Sequence, residues 1–177
     1  ERTPVVTLGL IGLCVLVFLW ELSLGGAAQQ AMYAFGMIPA VLMDVKALSP
    51  ELAVVPATAT LFTSMFLHGG PLHLLGNMLY LWIFGNNVED VMGRMRFVGF
   101  YLLCGVLAGL AHAVPQPASE VPTVGASGAV SGVLGAYLLL YPRARVLVAI
   151  PIGFYLHTVR LPAPWCIMTA SSAGAAA

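Results

Sequence analysis

Val124-Gly125-Ala126-Ser127-Gly128-Ala129-Val130-Ser131-Gly132 opens an uncharged run that extends to Tyr141. A spanning helix needs about 20 predominantly apolar residues, and residues 124–141 come close to that length. The small residues at its mouth can be read in two ways. Gly128 and Gly132, four apart, make a packing seam of the kind that lets helix backbones approach closely in a bilayer. Alternatively, Ser127 between glycines is a nucleophile set inside a membrane.

A second polar pair adds weight to the functional reading. His73 and Asn77 stand four residues apart in another apolar run. On a helix they share one face, roughly 6 Å apart along the axis at 1.5 Å rise per residue. Polar groups buried in a membrane are costly, and they are retained where they do something.

The composition agrees with a bilayer setting. Of 177 residues, 60% are hydrophobic and 8% charged, and the mean hydropathy is +0.94. Soluble chains carry about 25% charged residues, so this is an integral membrane protein by composition. The formal net charge is zero, and no basic cluster interleaved with aromatics marks a nucleic-acid surface, which excludes that partner class. Cys14, Cys104 and Cys166 lie far apart in apolar stretches without a CxxC pair, and read as small buried hydrophobes. The histidines form no HExxH or other zinc spacing, so a membrane metalloprotease is poorly supported.

The expected fold is all-α, a polytopic transmembrane helical bundle with about four spans. These cover residues 5–24, 72–88, 97–114 and 124–141. Pro71 suits the first turn of the second span, where its missing N–H costs nothing. Residues 25–67 mix Gln29, Gln30, Asp44, Lys46 and Glu51 with aromatics and prolines, and are expected to lie on or dip into the membrane surface. Residues 115–122 are a proline-rich connector that cannot continue a helix. Residues 146–156 are too short to span, are interrupted by Pro151 and Gly153, and are expected to be interfacial or re-entrant.

Orientation follows from the basic residues flanking the spans. With a cytoplasmic amino terminus, Arg2, Arg94, Arg96, Arg143, Arg145 and Arg160 all fall inside and only Lys46 outside. The same topology brings His73, Asn77 and Ser127 toward the outer face.

Amide hydrolysis by serine requires a nucleophile, a base and donors aimed at the developing oxyanion. Ser127 can supply the first at a helix start, where free backbone N–H groups and the positive dipole end favour an anion. His73 and Asn77 can supply side-chain donors. Gly125 and Gly128, lacking a Cβ, are expected to let a substrate backbone come close. The soluble hydrolase elbow GxSxG is not present, because position 129 is alanine.

Three blocks taken together resemble the rhomboid family of intramembrane serine proteases. They are His68-Gly69-Gly70-Pro71-Leu72-His73-Leu74-Leu75-Gly76-Asn77-Met78, Phe84-Gly85-Asn86-Asn87-Val88-Glu89-Asp90 followed by Gly93 and Arg94, and Gly125-Ala126-Ser127-Gly128. The resemblance implies that Ser127 is the nucleophile, that His73 and Asn77 help form the oxyanion site, and that Gly125 and Gly128 give backbone support. It also implies that a transmembrane protein substrate is cut within the bilayer near the outer membrane face, without metal or cofactor. The stretch 85–94 is assigned to folding and packing.

The family fold has six spans and places its base, a histidine, on a later helix packed beside the serine helix through small residues. Residues 1–177 contain no such helix, so the expectation is a single rhomboid-like membrane domain over 1–177, cut off before its last helices and inactive as it stands. His157 falls on the cytoplasmic side, His112 reaches a suitable depth without a specified geometry, and His68 reads as a residue holding its loop. The alternative reading is a catalytically inactive rhomboid-like protein that binds transmembrane helices, although such a binder needs none of Ser127, His73 and Asn77. A transport fragment would need polarity to continue through residues 97–114, which apart from Tyr101 and His112 are almost wholly apolar.

Overall fold

The computed structural model describes residues 3–152 and 155–162, with side chains described through residue 144. Arg2, Gly153 and Cys166 lie outside the described residues, as do the side chains of Arg145, His157 and Arg160. The chain divides into two compact units, Glu1–Val133 and Leu134–Ala177.

In the first unit, helix α1 (Val5–Ser23) buries Thr7, Cys14, Phe18 and Glu21 along one stripe. Leu8, Leu13, Leu16 and Leu19 point outward. That is the reverse of a soluble helix. Lipid tails are as apolar as leucine, so small and polar side chains carry the helix contacts while leucines meet hydrocarbon. Helix α7 (Arg94–Ala113) follows the same logic, with Phe97, Tyr101 and Gly105 inward and Leu103 and Leu107 outward. Among the described residues, these two helices are long and apolar enough to cross a membrane.

The second expected span is one helical run in three parts. Helix α5 (Pro71–Tyr80) passes through a π turn, Leu81–Gly85, into α6 (Asn86–Met92). The wide turn falls where Gly85 meets α1, since a Cβ there would lie 3.2 Å from both Thr7 Oγ1 and Thr7 Cγ2. Gly93 at φ 81° then ends α6 and turns the chain into α7.

Helix α1 starts without a local side-chain cap. Its first N–H groups would be unpaired in the bilayer. The buried Glu89 carboxylate on α6 accepts hydrogen bonds from the Val6 N–H at 3.0 Å, the Thr7 N–H at 2.8 Å and the Thr7 hydroxyl at 2.8 Å. The assignment of this turn to folding thus has a specific basis, a helix start capped from another helix.

Residues 25–67 are ordered. A 3₁₀ turn (Gly25–Ala27) leads to α2 (Ala28–Phe35), α3 (Pro39–Leu42) and, past a second turn, α4 (Thr60–Thr63). This segment is stitched to the connector before Ser127. The Met37 N–H donates to the Thr123 carbonyl at 3.1 Å, the Thr123 N–H returns a bond to Met37 at 2.8 Å, and the Ala40 N–H donates to Ser119 at 2.9 Å. Lys46 and Glu120 add an exposed ion pair at 2.6 Å.

Helix α8 (Ser127–Leu140) starts later than the apolar run. Gly125 adopts φ 120° and gives its N–H to the Ser64 carbonyl at 2.8 Å, so residues 124–126 enter the helix as a turn. In the second unit, across the stretch expected to be interfacial or re-entrant, β1 (Arg145–Ile152) pairs antiparallel with β2 (Tyr155–Pro162). Val146, Val148, Ile150, Ile152 and Val159 are β-branched and suit strands. The length rule for spans says nothing about it.

Candidate functional site

Pro71 opens α5 at its first turn, and His73 and Asn77 follow on one face. Asn77 is buried, and its Nδ2 has no hydrogen-bond partner among the described residues. A buried amide donor left unpaired costs free energy.

The His73 ring lies over Gly125. A Cβ at Gly125 would fall 2.5 Å from His73 Cε1 and 2.8 Å from Nε2, so only hydrogen fits there. Two residues further, Ser127 is the exposed first residue of α8. The adjacent turn is regular, with the Ser131 hydroxyl donating to the Ser127 carbonyl at 2.8 Å.

Helix α8 is seated on α7 through its glycines. A Cβ at Gly128 would come within 2.5 Å of the Ala108 Cβ, and Gly132 abuts Cys104 in the same way. The packing-seam reading of Gly128 and Gly132 therefore holds. The expectation that Gly125 and Gly128 leave room for a substrate backbone is corrected, since the His73 ring and Ala108 occupy those two spaces. These glycines support the site by letting protein groups close in.

Residues 64–70 join α4 to α5 and carry His68, which is 1% exposed. Its Nδ1 lies 3.1 Å from the Phe66 carbonyl. A carbonyl only accepts, so Nδ1 carries the proton and Nε2, which has no partner among the described residues, is a bare acceptor. The ring meets His73 edge-on, with centroids 5.4 Å apart. Burial pulls the His68 pKa down to about 4; the Phe66 hydrogen bond opposes this, and proximity to His73 adds to it. His68 is therefore neutral at ordinary pH.

Sequence reading missed Glu21. The residue is 3% exposed, and its carboxylate oxygens lie 3.2 Å and 3.3 Å from the His68 backbone nitrogen. An acidic residue inside the last turns of an apolar span was the available signal.

His112 is exposed near the end of α7 and has no hydrogen bond to Ser127 among the described residues. Among the described residues no group of three or more His, Cys, Asp or Glu side chains could hold a metal ion.

The structure brings the His73 ring onto Gly125, two residues before the Ser127 hydroxyl, and places the buried Asn77 on the same helix as His73. This arrangement belongs to a polytopic helical membrane protein, with Asn77 buried and His73 and Ser127 exposed. The family described as the Rhomboid domain matches residues 56–175. The chain belongs to the rhomboid family, whose members are intramembrane serine proteases and integral membrane proteins.

The chain is 35% identical over 136 residues to the rhomboid protease GluP of Bacillus subtilis, covering 76% of this chain and 24% of that protein. It is 40% identical over 78 residues to RHOMBOID-like protein 5 of Arabidopsis thaliana, covering 44% of this chain and 25% of the relative. Over 97 residues it is 35% identical to Rhomboid protein 1, mitochondrial, of Saccharomyces cerevisiae, with 52% and 28% covered. The matched region spans about a quarter of the length of these relatives.

Proposed function

We propose that the protein is a rhomboid-type serine endopeptidase that cuts transmembrane protein substrates near the outer membrane face. Ser127 is the nucleophile, and Asn77 and His73 donate to the oxyanion as the scissile carbonyl becomes tetrahedral. Gly125 and Gly128 hold the serine turn against its neighbours.

The observation that carries this reading is the buried Asn77 Nδ2, unpaired among the described residues, on the same helix face as a His73 ring seated on Gly125, two residues before Ser127. A helix packer would have no use for an amide donor without an acceptor. Substrate carbonyl oxygen entering beside Ser127 would supply that acceptor and meet the free N–H groups of the first turn of α8.

Serine also needs a base, which the family resemblance assigns to a histidine on a later helix beside the serine helix. Ser127 and Ser131 present a small-residue face on α8 that is exposed and suits the close approach of such a helix.

The amino terminus is on the cytoplasmic side. Arg94 and Arg96 open α7 one turn from Glu89, which caps the start of α1, while Glu21, His68 and Ser127 belong to the opposite helix ends. This distribution follows the preference of basic residues for the cytoplasmic side.

Labelling of the full-length protein with a fluorophosphonate, followed by peptide mass spectrometry, tests the assignment. The expected result is an adduct on Ser127 that disappears in Ser127→Ala. An adduct on Ser131, or equal labelling of the variant, eliminates Ser127 as the nucleophile. Unlabelled wild type favours the inactive, helix-binding alternative.

A further inference from the structure

The buried carboxylate of Glu21 has no part in the chemistry above, yet it touches the segment that feeds the site. Its only hydrogen-bond donor among the described residues is the His68 N–H, at 3.2 Å and 3.3 Å. No cation pairs with it among the described residues. A buried carboxylate is costly, and a single backbone donor is a small return for it in stability.

The segment 64–70 has no regular structure of its own and is pinned at a few points. Met65 fills the space above Gly105 on α7, where a Cβ would lie 2.6 Å from the Met65 Cε. The Ser64 carbonyl accepts the Gly125 N–H at 2.8 Å. Glu21 holds the opposite end, where the chain turns into α5. There the His68 ring stands edge-on to His73, and the His73 ring covers Gly125.

We propose that Glu21 is a positioning residue, whose carboxylate fixes the His68 backbone so that the His68 ring keeps the His73 ring seated over Gly125. Without that acceptor the His68 N–H is buried and unpaired, and the segment must shift to satisfy it. A shift at His68 is passed directly to His73, because the two rings are in contact. The kinetic consequence rests on the protease reading above; the structural consequence does not.

The test uses full-length protein reconstituted in bilayers, with isotopically labelled histidine, comparing wild type with Glu21→Leu, Glu21→Gln and His68→Ala. In Glu21→Leu the His68 amide loses its protection from hydrogen exchange and the His73 ring resonances move. Turnover of a transmembrane substrate falls on the order of 10- to 100-fold with KM nearly unchanged, as for a misplacement of about 1 Å. Glu21→Gln, whose amide oxygen still accepts the His68 N–H, restores the resonances and most of the turnover.

His68→Ala keeps the backbone bond but removes the ring, so it must also move the His73 resonances, and it decides the matter if Glu21→Leu does not fold. His73 resonances unchanged in the folded variants, with only the thermal midpoint lowered, would overturn the proposal. A wild-type protein that cleaves nothing would refute the protease reading, while the His73 resonances would still decide the role of Glu21.

Discussion

Replacing Gly125 by alanine perturbs the site through one methyl group. The added Cβ would stand 2.5 Å from His73 Cε1 and 2.8 Å from Nε2, whereas carbon atoms in contact prefer about 3.5–4.0 Å. The ring must therefore retreat by about 1 Å, a displacement that costs about 10²-fold when it misaligns a catalytic group. Gly125 also holds φ 120°, a region that strains a residue with a Cβ by about 1–3 kcal/mol. Gly125→Ala should thus lower both the thermal midpoint and the turnover of a transmembrane substrate. In a His73→Ala background its stability penalty should shrink to the backbone part, because the steric partner is gone. Wild-type turnover with an unchanged midpoint in Gly125→Ala would refute the idea that His73 is seated on this glycine.

Three further outcomes follow from the packing. Gly128→Ala brings a Cβ within 2.5 Å of the Ala108 Cβ and should destabilise the protein by about 1–3 kcal/mol, with Ala108→Gly restoring most of the loss; denaturation showing no such rescue would contradict the α7–α8 seam. Glu89→Ala leaves the Val6 N–H, Thr7 N–H and Thr7 hydroxyl without their acceptor and should cost about 3 kcal/mol or more; a wild-type unfolding midpoint would contradict the cap. His68 titrates near 4 when folded, against an ordinary 6.5, so the unfolded chain binds the proton first. Its contribution to stability is whole above pH 6.5 and falls as the pH drops toward about 4. Midpoints measured across that range should fall less steeply in His68→Gln, and parallel curves would contradict the assignment.

The helical membrane architecture was legible because its signals are local. Uninterrupted apolar runs announce spans, and a four-residue spacing places His73 and Asn77 on one face whatever the rest of the fold does. The glycines around Ser127 announced close approach, but not by what. Whether a substrate or the protein fills the space beside Gly125 and Gly128 depends on which helices lie across from them, and Ala108 and His73 were not readable as those partners.

Long-range backbone pairing was hidden for a related reason. The cap on α1 comes from Glu89, the entry to α8 is held by Ser64, and Thr123 pairs with Met37. None of these leaves a periodic trace, since each satisfies a donor far away in sequence. The same holds for Glu21, which in sequence looks like a charge tolerated at an interface. The pairing of residues 145–152 with 155–162 was hidden because the length rule for spans takes no account of the β-branched residues along 146–152.

Cleavage by the full-length protein in proteoliposomes, using a single-span substrate and locating the cut by mass spectrometry, tests the central claim most directly. Wild type should release fragments cut near the outer end of the substrate's span, and Ser127→Ala, folded to the same midpoint, should release none. The same fragments from Ser127→Ala, or a cut outside the bilayer region, would contradict an intramembrane endopeptidase built on Ser127.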